Sequence, residues 1–126
     1  MFKTALYLFA LALIVKADEH FIDDCLNSGK NPIVLYNQEV SKDGHIFQIQ
    51  EQNIRIPLTG FSESPITCIT VVNLLSDLDG GYPYIKAGGV NYTYVDLYLK
   101  SQKRKGFDFR ITVYYDKSQN SNVSYV

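Results

Sequence analysis

A chain of 126 residues with 46% hydrophobic content, ten Tyr and seven Phe is too apolar for disorder and suits one aromatic-rich core. Its formal charge of −1 excludes a general polyanion binder.

Residues 1–17 carry Lys3, an apolar run from Ala5 to Val15, and Val15-Lys16-Ala17 at the positions a signal peptidase reads. This layout predicts a secretory signal peptide, and its apolar run is short for a membrane span. The mature protein is then extracellular and starts near Asp18. It carries a charge of about −3, because the leader removes Lys3 and Lys16 and no acid. No later apolar run reaches the ~18 residues of a spanning helix. Cys25 and Cys68 remain, and in an oxidising compartment the default is one intramolecular bridge. Closing a loop of that length contributes roughly 4 kcal/mol. Nothing resembles the Cys-x-x-Cys spacing of a reactive pair.

Strand patterning dominates the rest. Asp18 to Leu26 is expected to form one short turn, and Asn27 to Pro32 breaks the chain. Ile33 to Tyr36 reads as a first strand. Ser41-Lys42-Asp43-Gly44 then reads as a hairpin turn into an alternating segment, His45 to Gln50. Ile54 and Ile56 mark a further strand with Arg55 on its other face. Ile66 to Leu75 is apolar and β-branched enough for a strand buried on both faces. Tyr82 to Ala87 is a short strand that Pro83 assigns to an edge.

From Asn91 to Lys100, Val95, Leu97 and Leu99 share one side, and Tyr92, Tyr94, Asp96 and Tyr98 the other. After a polar turn, Phe107, Phe109, Ile111, Val113 and Tyr115 face one way, against Asp108, Arg110, Thr112 and Tyr114. About seven such strands predict a small all-β antiparallel sandwich or barrel over residues 18–116, with a loosely ordered tail at 117–126.

Gly80-Gly81-Tyr82, Ala87-Gly88-Gly89-Val90, Val95 to Gln102, Gly106-Phe107-Asp108-Phe109 and Tyr114 together resemble the signature of the multiprotein bridging factor two (transcription activator) family of arthropods. The likeness runs over about 33–116, its specific part over 80–114. Asn91 and Arg104 stand where the family pattern has glycine, both at turns. The resemblance implies a small all-β domain without a cofactor, and a name taken from a nuclear coactivator. It also implies relatives that carry leaders and are secreted in saliva or venom. It supplies no catalytic residues.

Two surfaces are candidates for binding. Lys100, Lys103, Arg104 and Lys105 form a basic turn between the last two strands. The plainer reading is a solvated hairpin turn whose charges discourage edge pairing. Tyr92, Tyr94 and Tyr98, with Tyr82 and Tyr84 nearby, offer an aromatic platform, or else simply pack across strands. Asn91-Tyr92-Thr93 and Asn122-Val123-Ser124 are glycosylation sequons, and a glycan on Asn91 would restrict access to the tyrosines. Asp77-Leu78-Asp79-Gly80 has the look of a calcium half-loop without the remaining ligands, so a turn is preferred. His20 and His45 lie in different segments and give no metal site on their own.

The resulting expectation is a secreted, non-enzymatic binding protein, an extracellular effector of salivary, venom or haemolymph type. It would meet an unidentified protein or glycan partner through the Tyr92, Tyr94 and Tyr98 face with the adjoining basic turn, with no cofactor, metal or nucleic acid. The first alternative is a transcriptional coactivator bridging a DNA-bound regulator and basal factors. Others are a carrier of small apolar ligands and a hydrolase on an unrecognised site.

Overall fold

Strands with one apolar side bury it only by facing another such surface, and this chain does so with two sheets. The structure, a computed structural model, describes residues 18–26 and 31–117. The leader expected over residues 1–17, nearly all of the expected tail and the sequon at Asn122 lie outside the described residues.

Seven strands follow one another: β1 (Ile22–Cys25), β2 (Pro32–Lys42), β3 (Glu51–Ile56), β4 (Ile66–Asn73), β5 (Tyr82–Gly88), β6 (Val95–Lys100) and β7 (Phe107–Asp116). They pair antiparallel into a four-stranded sheet, β1-β4-β7-β2, and a three-stranded sheet, β3-β6-β5. The all-β sandwich of about seven strands is therefore what forms. Cys25 stands opposite Cys68 in the β1–β4 register, and the two are bonded.

Alternation decides the core. Ile54 and Ile56 of β3 with Val95, Leu97 and Leu99 of β6 point inward from the smaller sheet. Ile66, Ile69 and Val71 of β4 with Phe107, Phe109, Ile111 and Val113 of β7 meet them from the larger one. Each full burial is worth about 1.5–3 kcal/mol. A bulge between Ile66 and Cys68 inserts a residue, so Ile66 and Ile69 share the inner face despite their odd spacing.

Several local expectations change. Asp18 to Leu26 holds a strand, β1, instead of a turn, because β4 offers it a free edge. Residues 43–44 do not make a hairpin: β2 and β3 belong to different sheets, and His45 to Gln48 keeps only one isolated bridge with Phe47 exposed. β4 is buried on one face, not both, since Val72 stays 48% exposed on the uncovered side. β6 begins at Val95, with Asn91 to Tyr94 in the turn before it.

The basic turn is likewise no hairpin turn. It carries the chain from β6 across to β7 in the opposite sheet, where their apolar sides oppose each other. Buried Ser101 anchors this crossing: its N–H donates to the Gln50 carbonyl at 2.8 Å and its Oγ accepts from the Gln50 N–H at 2.7 Å.

Among the described residues, Asn91 (φ 75°) and Arg104 (φ 67°) are the non-glycine residues in the left-handed region. Both stand at turns, and each carries a side chain in a conformation that ordinarily favours glycine.

Candidate functional site

The same period of two that buries Val95, Leu97 and Leu99 turns Asp96, Tyr98 and Lys100 to the outer side of the three-stranded sheet. Arg55 stands opposite Asp96 in the β3–β6 register, Asn53 opposite Tyr98 and Glu51 opposite Lys100. From the other flank, β5 sets Tyr84 beside Tyr98 and Tyr82 beside Lys100. A shallow depression of about 490 Å³ opens on this side, lined by Asn53, Ile54, Arg55, Lys86, Ala87 and Asp96.

Arg55 is the most constrained cation here. Its guanidinium lies 4.6 Å from the Tyr94 ring centre and 5.2 Å from that of Phe61, and the two rings meet edge-on. Nη2 donates to the Gly60 carbonyl at 3.1 Å, and Nη1 lies 3.7 Å from Asp96. The half-exposed ion pair is worth little by itself. Stacking between two rings adds about 0.5–1 kcal/mol per contact at such a surface.

Tyr84 and Tyr98 stack with centroids 5.9 Å apart. Tyr98 donates to Glu51, while Tyr84 donates to Asp18 at 2.9 Å. Burial, followed by the Asp18 hydrogen bond, pushes the Tyr84 phenol up to about 12. The Glu51 hydrogen bond, then burial, also raises Tyr98. Lys86 lies 5.8 Å from the Tyr98 ring centre, within reach of Asn53 Oδ1 at 3.4 Å. His20 stacks on Tyr82 and donates from Nδ1 to the Gly81 carbonyl at 2.8 Å. Ring contacts, one guanidinium over two rings and flanking carboxylates hold the side chains of this face in place.

The expected site residues are only partly gathered. Tyr94, Tyr98 and Lys100 share this face. Tyr92 sits in the turn before β6 and contacts Tyr94 edge-on, 55% exposed. Lys103, Arg104 and Lys105 lie at the far end of β6, away from Tyr92. Lys105 is held by Asp79 at 2.8 Å, which with Ser76 keeps the Asp79 carboxyl below its usual range. The half-loop at Asp77 to Gly80 is thus a turn closed on Ser76. Asn91 is exposed in its turn, accessible to modification. Among the described residues, no group of three or more His, Cys, Asp or Glu is placed to hold a metal ion.

Sequence reading missed Arg55 as a site residue. Its alternation with Ile54 and Ile56 signalled an outward side chain, but Phe61 comes from an aperiodic loop and could not be assigned to it.

A family model described as transcription activator MBF2 matches residues 27–114, more than two thirds of the chain. No curated protein and no solved structure matches. This match overturns the expected extracellular effector of saliva, venom or haemolymph. The family description is a transcription activator, which fits the coactivator alternative.

Proposed function

This chain belongs to the transcription activator MBF2 family, and from that membership we propose that it activates transcription. It does so without catalysis, as a coactivator bridging a DNA-bound regulator and basal factors. The observation that carries the reading is the extent of the match, which takes in β2 through nearly all of β7. Bridging is a matter of surfaces, and the face around Arg55, Tyr84 and Tyr98 has the composition of contact hot spots. Tyr buries large rigid area at low entropic cost, and Arg adds a planar fork of donors that also stacks on rings.

Fusion of residues 18–117 to a heterologous DNA-binding domain tests this directly. Reporter output is expected to rise severalfold over the DNA-binding domain alone, and Arg55→Ala with Tyr98→Ala is expected to remove most of the gain. No rise with a folded fusion overturns the proposal.

A second reading, of the route, competes with the first, because a chain carried through the secretory compartment does not meet DNA-bound regulators. We propose that residues 1–17 direct it through an oxidising compartment, a reading supported by the Cys25–Cys68 bridge, since disulfides persist there. Intact mass and fractionation check this. Full-length protein in nuclei with both thiols free discards it.

A further inference from the structure

One end of the sandwich carries a feature that the Arg55 face does not use. Three connections meet there: residues 43–50 between β2 and β3, 74–81 between β4 and β5, and 101–106 between β6 and β7. The registers set them together, since Lys42 pairs with Phe107 while Glu51 and Tyr82 both pair with Lys100. The 101–106 turn touches both neighbours. A side chain at Gly44 would meet the Arg104 carbonyl at 3.0 Å, whereas Gln102 Nε2 donates to the Gly80 carbonyl at 2.8 Å.

On this end Phe47 is 86% exposed, Leu78 84% and Ile46 64%. Single exposed apolar residues are ordinary. Here they stand on the two loops that the basic turn joins, and that turn presents exposed Lys103 and Arg104, neither in a salt bridge among the described residues. Apolar side chains and unpaired cations thus stand on loops that touch one another.

We propose that this end docks an acidic protein segment with bulky apolar side chains spaced among its carboxylates, carried by the regulator or basal factor. The inference rests on the transcription-activator reading and names the partner chemistry for a second surface. Complementarity is twofold: carboxylates meet Lys103 and Arg104, and apolar side chains cover Phe47, Ile46 and Leu78. Such a segment suits the site better than an anionic membrane. Asp43 and Asp77 are exposed on the same loops. They would oppose a continuous plane of negative headgroups, while an extended chain can place its acids between them.

The test uses the full chain and a labelled synthetic peptide of about twenty residues alternating Asp or Glu with Leu or Phe. Its counterpart with Lys for the acids and vesicles of phosphatidylserine in phosphatidylcholine serve as contrasts. The acidic peptide is expected to bind at least about tenfold more tightly than the Lys peptide, and to weaken as salt rises. Lys103→Glu with Arg104→Glu, and separately Phe47→Ser with Leu78→Ser, should each weaken it about tenfold or more. Arg110→Ala, on the outer side of the four-stranded sheet, should leave it unchanged. Amide shift mapping on the unsubstituted chain supplies a readout independent of variant folding, with shifts expected at Phe47, Leu78, Lys103 and Arg104.

Absence of acidic-peptide binding, indifference to both double substitutions, shifts confined elsewhere, or vesicle binding in place of peptide binding overturns the proposal. Peptide binding without reporter activation sinks the transcription reading alone. Activation without peptide binding sinks this one alone.

Discussion

The outer faces of the two sheets come from the same alternation of apolar and polar residues, yet they differ in kind. On the three-stranded sheet, the Arg55 guanidinium lies over both Phe61 and Tyr94, and Tyr84 stacks on Tyr98. On the four-stranded sheet, Arg110 reaches Asn37 at 3.3 Å and Glu39 at 3.9 Å, with Thr112 alongside. Strand alternation places Arg55, Tyr84, Tyr98, Arg110 and Thr112 outside. What separates the faces is supply from elsewhere in the chain. A loop brings Phe61 and the N-terminal segment brings Asp18, so the smaller sheet acquires held rings, while the larger keeps a mixed outer side on which Val72 stays exposed.

The largest test of this comparison concerns what the sheets have in common. Leu97→Ala from the smaller sheet and Ile111→Ala from the larger remove fully buried side chains from one shared cluster. Each is expected to lower unfolding stability by about 2–5 kcal/mol in urea titration. A loss under about 1 kcal/mol for either would show that its sheet does not share the core.

Next comes the contrast itself. Arg55→Ala should cost about 1–2 kcal/mol, since two ring contacts and a carbonyl hydrogen bond are lost together. Arg110→Ala should cost under about 0.5 kcal/mol, as expected for an exposed pair. Equal effects would erase the distinction between the faces.

Smaller still are the two turns carrying side chains in the left-handed region. Arg104→Gly is expected to stabilise by about 0.5–1 kcal/mol, because arginine gains nothing from that conformation. Asn91→Gly should change little, as asparagine tolerates it and glycine loosens the unfolded chain. Thermal melts of the two variants give the comparison.

The most subtle effect is alkaline. Tyr84 ionises near 10 in an unfolded chain and at about 12 when folded. Between those values the folded state holds the extra proton. Its contribution is therefore complete below pH 10 and is lost as pH climbs through about 12. Phenolate absorbance should show a late-titrating tyrosine that disappears in Tyr84→Phe. The pH dependence of stability above 10 should flatten in the same variant.

Much of the fold was legible because period-two patterning is a local property. Val95, Leu97 and Leu99, and Phe107 through Val113, announced their buried sides without any knowledge of a partner. The bridge was legible too, because the chain contains one possible pair. Pairing was not legible. The residues from Ser101 to Gly106 serve equally as a hairpin turn or as a crossing between sheets, and nothing in their composition separates the two. At the candidate site, Tyr94, Tyr98 and Lys100 were accessible to reading, but joining Tyr92 to the basic turn ignored the length of β6 between them. At about 3.3 Å per residue, a strand carries its ends to opposite margins of a sheet. For function, the Gly-Gly and Val95 to Gln102 motifs pointed to the family, while weight placed on the leader led to an effector that the family match corrects.

Sequence alone thus determined class, core and bridge: an all-β chain, the sides of its strands that avoid water, and the cysteines that join. These follow from the chemistry of each residue and its immediate neighbours. Tertiary structure decided which strands pair, that β6 and β7 oppose each other across the core, and that Arg55 finds two rings. Those outcomes depend on segments far apart in the chain being packed to satisfy backbone hydrogen bonds and apolar burial together, a condition no local pattern contains.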